Sequence, residues 1–142
     1  RGMKLNTQIS NSISKLGGMT LVCGKYEGLD ERVIKHYNMI EISIGDYILS
    51  GGDLAAMVLI DSVVRCLPNV LGNPLTLNDE TFTNNLLEYP LYTQPREWKN
   101  YKVPDVLLSG DHKKIKNWKI KQSEDITMKR RPDLWKKYLK LK

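Results

Sequence analysis

Apolar side chains near the N-terminus recur at intervals of three and four residues: Leu5, Ile9, Ile13 and Leu16. That spacing predicts an amphipathic helix with one buried face, and Gly17-Gly18 is expected to end it. The run Thr20–Cys23 that follows is short and mostly apolar, which predicts a strand.

The next part of the chain repeats this alternation. Asp30 is a candidate N-cap for a helix through residues 32–34. Met39–Ile44 is rich in β-branched residues and predicts a second strand, and the order strand, helix, strand implies a parallel sheet. Asp53–Cys66 predicts a helix that is apolar on nearly every side, so we expect it to be buried, against the domain itself or a second subunit.

Residues 73–85 are polar and contain Pro74, which predicts a linker. We therefore expect an α/β domain over residues 1–72 and a mainly helical domain over residues 86–142. In the second domain, Asp111 is expected to cap one helix and Pro132 to begin another.

Charge is distributed unevenly between the two predicted domains. Residues 1–84 carry 7 Lys and Arg against 9 Asp and Glu, and residues 85–142 carry 15 against 7, which gives the chain its net charge of +6. The basic second half indicates a polyanionic partner. The alternative is a lysine-rich surface that only keeps the helices soluble.

Cysteine and histidine usage argues against metal and disulfide chemistry. Cys23 and Cys66 lie in apolar runs and are predicted to be small buried hydrophobic residues. His36 and His112 are too isolated for a metal cluster. Neither a signal peptide nor a membrane-spanning run is apparent, so the expected location is the cytoplasm.

Two glycine-containing loops follow the two predicted strands, at Gly24–Gly28 and Ile44–Gly52. Ligands of open α/β sheets bind beyond the carboxyl ends of the strands, and glycine lets the backbone approach a ligand closely. The loops therefore predict a binding site, with ordinary tight turns as the alternative.

Four strings resemble signatures of the tRNA (guanine-N1-)-methyltransferase family. They are Cys23–Val33, Glu41–Ala55, Leu86–Pro90 and Val106–His112. The resemblance runs essentially end to end. It implies a homodimeric enzyme that transfers a methyl group from S-adenosylmethionine (SAM) to N1 of the guanine 3′ of the anticodon in tRNA.

The resemblance also implies a trefoil-knotted α/β domain of the SPOUT class, incomplete here at its N-terminus, followed by a small helical domain. It implies a SAM site whose residues match the family at thirteen positions: Gly24, Tyr26, Glu27, Gly28, Ser43, Ile44, Gly45, Asp46, Tyr47, Ile48, Leu49, Gly51 and Gly52. Main-chain groups of Ile44, Tyr47 and Leu49 are expected around the adenine.

The family's general base, an aspartate, aligns with Glu80, and the neighbouring Asp79 is the rival position. Either carboxylate has the chemistry to take the proton from guanine N1; the alternative is an acidic linker. Arg65 matches the arginine that stabilises negative charge on guanine O6, with an ion pair at a subunit interface as the alternative. Whether a divalent ion assists stays open.

The basic residues expected to contact tRNA phosphates are Lys113, Lys114, Lys116, Lys119, Lys121, Lys129, Arg130 and Arg131. At their helical spacing, Trp98, Trp118 and Trp135 are expected in the core. Two departures from the family lie in this domain. Leu91 and Gln94 stand where one family string has histidine and arginine, and Asn85 stands where the family has glycine.

Arg1-Gly2 resembles the end of the family's first cofactor loop, so we expect these residues alone not to methylate RNA. A non-catalytic fragment that binds RNA and dimerises is the competing interpretation. A knotted methyltransferase that acts on ribose is a third, which the strings Leu86–Pro90 and Ser109–His112 argue against.

Overall fold

The computed structural model describes residues 1–70, 82 and 84–142 of the chain. Internal contacts divide the chain into two compact units, residues 1–74 and 75–142. Each unit is described by itself. Glu80, Asp79 and most of the predicted linker 73–85 lie outside the described residues.

The sheet of the first unit is small and parallel. Strand β1 (Met3–Lys4) pairs with strand β2 (Ile42–Ser43), and Met3 N donates to Glu41 O over 2.8 Å. Gly2 makes this pairing possible, because a Cβ there would lie 2.5 Å from the backbone of Glu41. The prediction of parallel pairing is confirmed, although β1 itself was not expected.

The predicted strand Thr20–Cys23 is wrong, since those residues form no regular structure. A strand needs a neighbour for its hydrogen bonds, and β2 pairs with β1 instead. Val22 is consequently exposed. The predicted strand Met39–Ile44 is confirmed only at Ile42–Ser43.

Side-chain caps begin the first two helices. In α1 (Thr7–Ile13), Asn6 Oδ1 accepts from Ile9 N over 3.0 Å. In α2 (Glu31–His36), Asp30 accepts from Arg32 N over 2.8 Å, as the sequence predicted. The arginine side chain donates to the same carboxylate and holds the pKa of Asp30 below its usual value.

Helix α3 (Asp53–Val64) confirms the third predicted helix. One face packs on α1, where Ser10 Oγ and Ser62 Oγ lie 3.0 Å apart and Leu59 and Val63 are each 6% exposed. Within the described chain the helix is therefore buried on one face only, and burial of the other face against a second subunit stays a prediction. Leu54 and Met57, on the other face, are 60% and 64% exposed.

The second unit opens its regular structure with a hairpin that the sequence analysis did not predict. Strands β3 (Glu97–Trp98) and β4 (Tyr101–Lys102) pair antiparallel. Lys99 and Asn100 form the turn, with φ of 48° and 67°, the left-handed pair that a two-residue hairpin loop requires. Trp98 is exposed here, so its expected place in the core is wrong.

Three helices follow, α4 (Asp105–Leu108), α5 (His112–Arg130) and α6 (Pro132–Leu139). The start of α5 is capped by Asp111, which accepts from Lys114 N over 3.0 Å, so both predicted helix starts are confirmed. Trp118 and Trp135 are half-buried. Within the described ranges, no helix is both long and apolar enough to cross a membrane.

Thr127 is the most buried side chain of the second unit, at 0% exposed. Its Oγ1 donates to Ser123 O over 2.6 Å and accepts from Leu87 N over 2.8 Å. This pair of hydrogen bonds fixes residues 84–89, here called the strap, against α5. In the same part of α5, Tyr138 Oη donates to Glu124 Oε1 over 2.7 Å and joins α6 to α5.

Candidate functional site

The two glycine loops touch each other in the first unit. Gly52 N donates to Gly24 O over 3.0 Å, and Lys25 forms an isolated bridge with Gly51. A Cβ on Gly52 would lie 3.0 Å from the Cα of Cys23. The contact therefore depends on the absence of a side chain at position 52.

The first loop is shaped by two left-handed residues. Tyr26 has φ of 58° and Gly28 has φ of 97°, and Gly28 N donates to Lys25 O over 3.3 Å. This turn presents the Tyr26 side chain to solvent, where it is 98% exposed. Cys23, just before the loop, is exposed as well, so its expected burial is wrong.

The second loop folds back on its own first residues. Gly45 N donates to Ser43 Oγ over 3.3 Å, and Tyr47 Oη donates to Ile44 O over 3.3 Å. The Tyr47 ring thus lies against Gly45, where a Cβ would collide with it. Among the described residues, the main-chain N–H groups of Tyr47 and Leu49 have no hydrogen-bond partner, so both are available to a ligand.

Both loops border one open cavity of about 1540 Å³. The structure brings eleven of the thirteen expected cofactor residues to its wall: Gly24, Tyr26, Glu27, Gly28, Ser43, Ile44, Gly45, Tyr47, Leu49, Gly51 and Gly52.

Asp46 and Ile48 are the two exceptions. Asp46 turns outward to Lys4, with 3.2 Å between carboxylate and ammonium, and Ile48 is 98% exposed. The sequence analysis missed Lys25, Ser50 and Gly2 in the wall. Lys25 and Ser50 lie inside the two glycine loops, so their position in the sequence could have indicated that they line the cavity. Gly2 reaches the wall only through the pairing of β1 with β2, which the sequence did not predict.

The expected catalytic residues are placed only in part. Arg65 is the C-cap of α3 and is exposed. Glu80 and Asp79 lie outside the described residues. Among the described residues, no group of three His, Cys, Asp or Glu side chains is placed to hold a metal ion.

The basic residues of α5 differ in whether they line a cavity. Lys116 and Lys119 line a cavity beside the strap, whereas Lys113, Lys114 and Lys121 do not. Lys114 lies 3.3 Å from Asp111, the cap of its own helix. Lys129 and Arg130 are exposed in the last turn.

Arg131 is engaged within the protein. Its guanidinium binds both oxygens of Asp133, at 2.8 and 2.6 Å, and lies 5.8 Å from the Phe82 ring centroid. The pair lowers the pKa of Asp133 to about 2. Arg131 therefore has a structural role at the start of α6, whether or not it also contacts RNA.

These two units define an α/β protein with a glycine-lined ligand cavity and an appended basic helical unit. The particular family follows from comparison with known proteins. Residues 1–137 match the family described as tRNA (Guanine-1)-methyltransferase TrmD, and the chain belongs to that family.

Three relatives, each named tRNA (guanine-N(1)-)-methyltransferase, illustrate the similarity. The chain is 56% identical to that of Pelagibacter ubique over 140 residues, which is 99% of this chain and 61% of the relative. It is 49% identical to that of a Ruegeria species over 138 residues, 97% and 57% of the two chains. It is 53% identical to that of Ehrlichia canis over 134 residues, 94% and 57%. The chain thus spans about three fifths of the length of the curated relatives it matches.

Proposed function

We propose that the protein takes part in methyl transfer from SAM to N1 of the guanine 3′ of the anticodon in tRNA. The observation that carries this proposal is the direct contact of the two glycine loops, Gly52 N to Gly24 O at 3.0 Å. The contact brings both family loops to one cavity wall. The names of the relatives supply the reaction and the RNA class.

The cavity wall fits SAM in its chemistry. Glycines at positions 51 and 52 let the two loops approach each other closely at the cavity wall, since a Cβ there would lie 3.3 Å from Lys25 Cγ and 3.0 Å from Cys23 Cα. The main-chain N–H groups of Tyr47 and Leu49 are donors for the edge of an adenine, and apolar side chains such as Leu21 and Leu49 line the same wall. SAM, when bound, supplies an electrophilic methyl group.

The chain's own residues then have two tasks. Guanine N1 carries a proton and is a poor nucleophile until that proton leaves, so a carboxylate at Glu80 or Asp79 takes it. Negative charge then develops on guanine O6, and the guanidinium of Arg65 stabilises it. Because a guanidinium keeps its charge at all working pH values, only the carboxylate sets the lower pH limit of the reaction.

The proposal includes a trefoil-knotted domain and a homodimer. The apolar face of α3 that α1 leaves uncovered supports the second part, since Leu54, Met57 and Val58 form a continuous exposed stripe. A subunit interface along this stripe would bring Arg65, at the end of the same helix, close to the partner subunit. Phosphate contacts come from the basic residues of the second unit.

The test compares the products formed on two tRNA transcripts, one with guanosine and one with adenosine 3′ of the anticodon. In the presence of the peptide used in the second measurement below, we expect 1-methylguanosine, identified by mass spectrometry of the nucleosides, only on the first. A ribose-methylated guanosine would overturn the assignment to N1. Glu80→Gln and Asp79→Asn variants then identify the base, because only loss of the true base lowers the rate, by about a hundredfold or more.

A second measurement addresses the length of the chain. SAM and S-adenosylhomocysteine are titrated calorimetrically into the 142 residues, with and without a peptide equivalent to the additional N-terminal part of the Pelagibacter ubique relative. We expect binding, and methyl transfer, only when that peptide is present. RNA binding with no SAM binding in either case favours the non-catalytic alternative.

A further inference from the structure

A second cavity, separate from the glycine loops, lies entirely within the second unit. It has a volume of about 490 Å³ and runs between the strap and α5. The strap contributes Leu86, Leu87 and Tyr89, and the helix contributes Ile115, Lys116 and Lys119. This space is called the strap groove below.

Two lysines of α5, Lys116 and Lys119, line the strap groove. With 3.6 residues per turn, positions 116 and 119 share a face with buried Ser123, and that face is the one that meets the strap. Lys121 projects from the opposite side of the helix, and Lys113 also lies outside the groove. The lysines of α5 therefore divide into a groove pair, Lys116 and Lys119, and lysines outside the groove, of which Lys113 and Lys121 are called the outer pair below.

An aromatic ring completes the charged side of the groove. Lys119 Nζ lies 4.4 Å from the centroid of the Tyr89 ring, a distance at which the ring quadrupole attracts the ammonium. The strap is itself fixed, because Leu87 N donates to the fully buried Thr127. Tyr89 is half-buried, two residues after that anchor. The ring and the ammonium are thus held together before any ligand arrives.

The rest of the groove is partly apolar, which separates it from an ordinary basic surface. Leu86, Leu87 and Ile115 form an apolar wall on its two sides, beside the polar residues Asn84, His112 and Ser123. Glu88 is the one carboxylate among the lining residues. The volume lies within the range of small-molecule sites, so it admits one nucleotide and excludes a duplex.

We propose that the strap groove binds one unstacked nucleotide of an RNA. Lys116 and Lys119 contact its phosphate, and its base lies against Tyr89 and the apolar wall. The inference rests on the proposed function in that the RNA is the tRNA substrate. It goes further in placing single-stranded RNA on one face of α5 and leaving the outer lysines without contact.

Fluorescence anisotropy with a labelled tRNA transcript tests the groove pair against a matched control. K116E/K119E and K113E/K121E change the net charge by the same amount on the same helix. We expect the groove pair to weaken binding at least tenfold more than the outer pair. The slope of log K against log salt should also fall by about 0.7 or more for the groove pair, since the single phosphate that the pair contacts contributes about 0.7.

A third variant tests the aromatic contact. Tyr89→Leu removes the ring and keeps an apolar side chain, so we expect it to weaken binding of a single-stranded oligonucleotide by about fivefold to a hundredfold. Tyr89→Phe keeps the ring and should bind as the unaltered protein does. Inorganic polyphosphate, which has no base, should bind equally to the Tyr89→Leu variant. Circular dichroism checks that each variant is folded.

Equal losses from the two lysine pairs overturn the proposal, because they mean that α5 acts only through its overall charge. Absence of RNA binding by the unaltered protein overturns it as well. Failure of the proposed function gives a different result. If the groove pair affects RNA binding more than the outer pair but no 1-methylguanosine forms, the groove proposal stands and the proposed reaction is wrong. If 1-methylguanosine forms but the two lysine pairs have equal effects, the proposed reaction stands and the groove proposal is wrong.

Discussion

In the second unit, the hydroxyl of Thr127 is fully buried and both of its hydrogen bonds stay inside the protein. In the first unit, helix α3 buries Leu59 and Val63 but leaves Leu54 and Met57 more than half exposed. The buried hydroxyl is thus satisfied within its own unit, whereas one face of α3 keeps apolar side chains exposed. The difference separates a contact that is complete within the described chain from an apolar face of the kind that packs against a partner.

Replacing the same residue type in the two units gives the largest expected contrast. Leu134 is 7% exposed in α6, so Leu134→Ala should lower the free energy of unfolding by about 3 kcal/mol. Leu54→Ala removes an exposed side chain and should change it by less than about 0.5 kcal/mol. Urea unfolding measures both. Similar losses would break the comparison, because they would mean that the α3 face is covered in solution.

The buried hydroxyl gives the next largest effect. Thr127→Val keeps the shape of the side chain but leaves Leu87 N without its acceptor, which should cost about 2 kcal/mol of unfolding free energy. Thr127→Ser keeps the acceptor and should cost about 1 kcal/mol, for the lost methyl group. Thr93→Val, at an exposed position, is the control. If Thr127→Ser is as damaging as Thr127→Val, the hydrogen bond is not what fixes the strap.

Disrupting the contact between the two glycine loops is expected to weaken SAM binding rather than to lower the free energy of unfolding. Gly52→Ala places a Cβ 3.0 Å from the Cα of Cys23, which forces the glycine loops apart and should weaken SAM binding about tenfold, or about 1.4 kcal/mol. Gly18→Ala has open space around it and should bind normally. Calorimetry in the presence of the same added peptide makes the measurement. If the Gly52→Ala variant binds SAM with unchanged affinity, the contact between the loops has no part in the SAM site.

The smallest expected effect concerns the contact between α5 and α6. Hydrogen bonds from Lys142 and then Tyr138 hold the pKa of Glu124 below its ordinary value of 4.5. Because the folded pKa is the lower one, this contact stabilises the folded state above pH 4.5 and loses its effect as the pH falls through the folded pKa. Glu124→Gln should therefore cost less than about 1 kcal/mol at neutral pH.

Unfolding curves of the unaltered protein and the Glu124→Gln variant, recorded from neutral to acidic pH, check this sign. The difference between the two should shrink as the pH falls. A difference that stays constant would show that the carboxylate charge has no part in joining α6 to α5.

The sequence predicted elements well where the signal was local. Asp30 and Asp111 cap the helices that they were expected to cap, because an N-cap needs only the next three residues. The stripe from Leu5 to Leu16 gave a shorter helix, Thr7–Ile13. The strand Thr20–Cys23 failed because strand formation depends on a partner elsewhere in the chain, and hydrophobicity does not say where that partner lies.

The part of the candidate site that consists of residues adjacent in sequence could be predicted. Both glycine loops lie at one cavity as expected, since each string is long and its residues are neighbours in sequence. Asp46 and Ile48 face away from it, because a string match does not fix the direction of each side chain. The sequence also could not predict which lysines of α5 line the strap groove, since that depends on where the strap lies.

The hydrogen bond between Leu87 N and Thr127 Oγ1 joins residues 40 positions apart in the chain. During synthesis the strap leaves the ribosome well before its acceptor exists, so it cannot take up its final place until nearly all of α5 has emerged. Closing so long a segment is slower than forming a helix. The strap groove is therefore among the last features of the chain to form, and a ribosome paused before Thr127 would hold a polypeptide in which the strap groove has not yet closed.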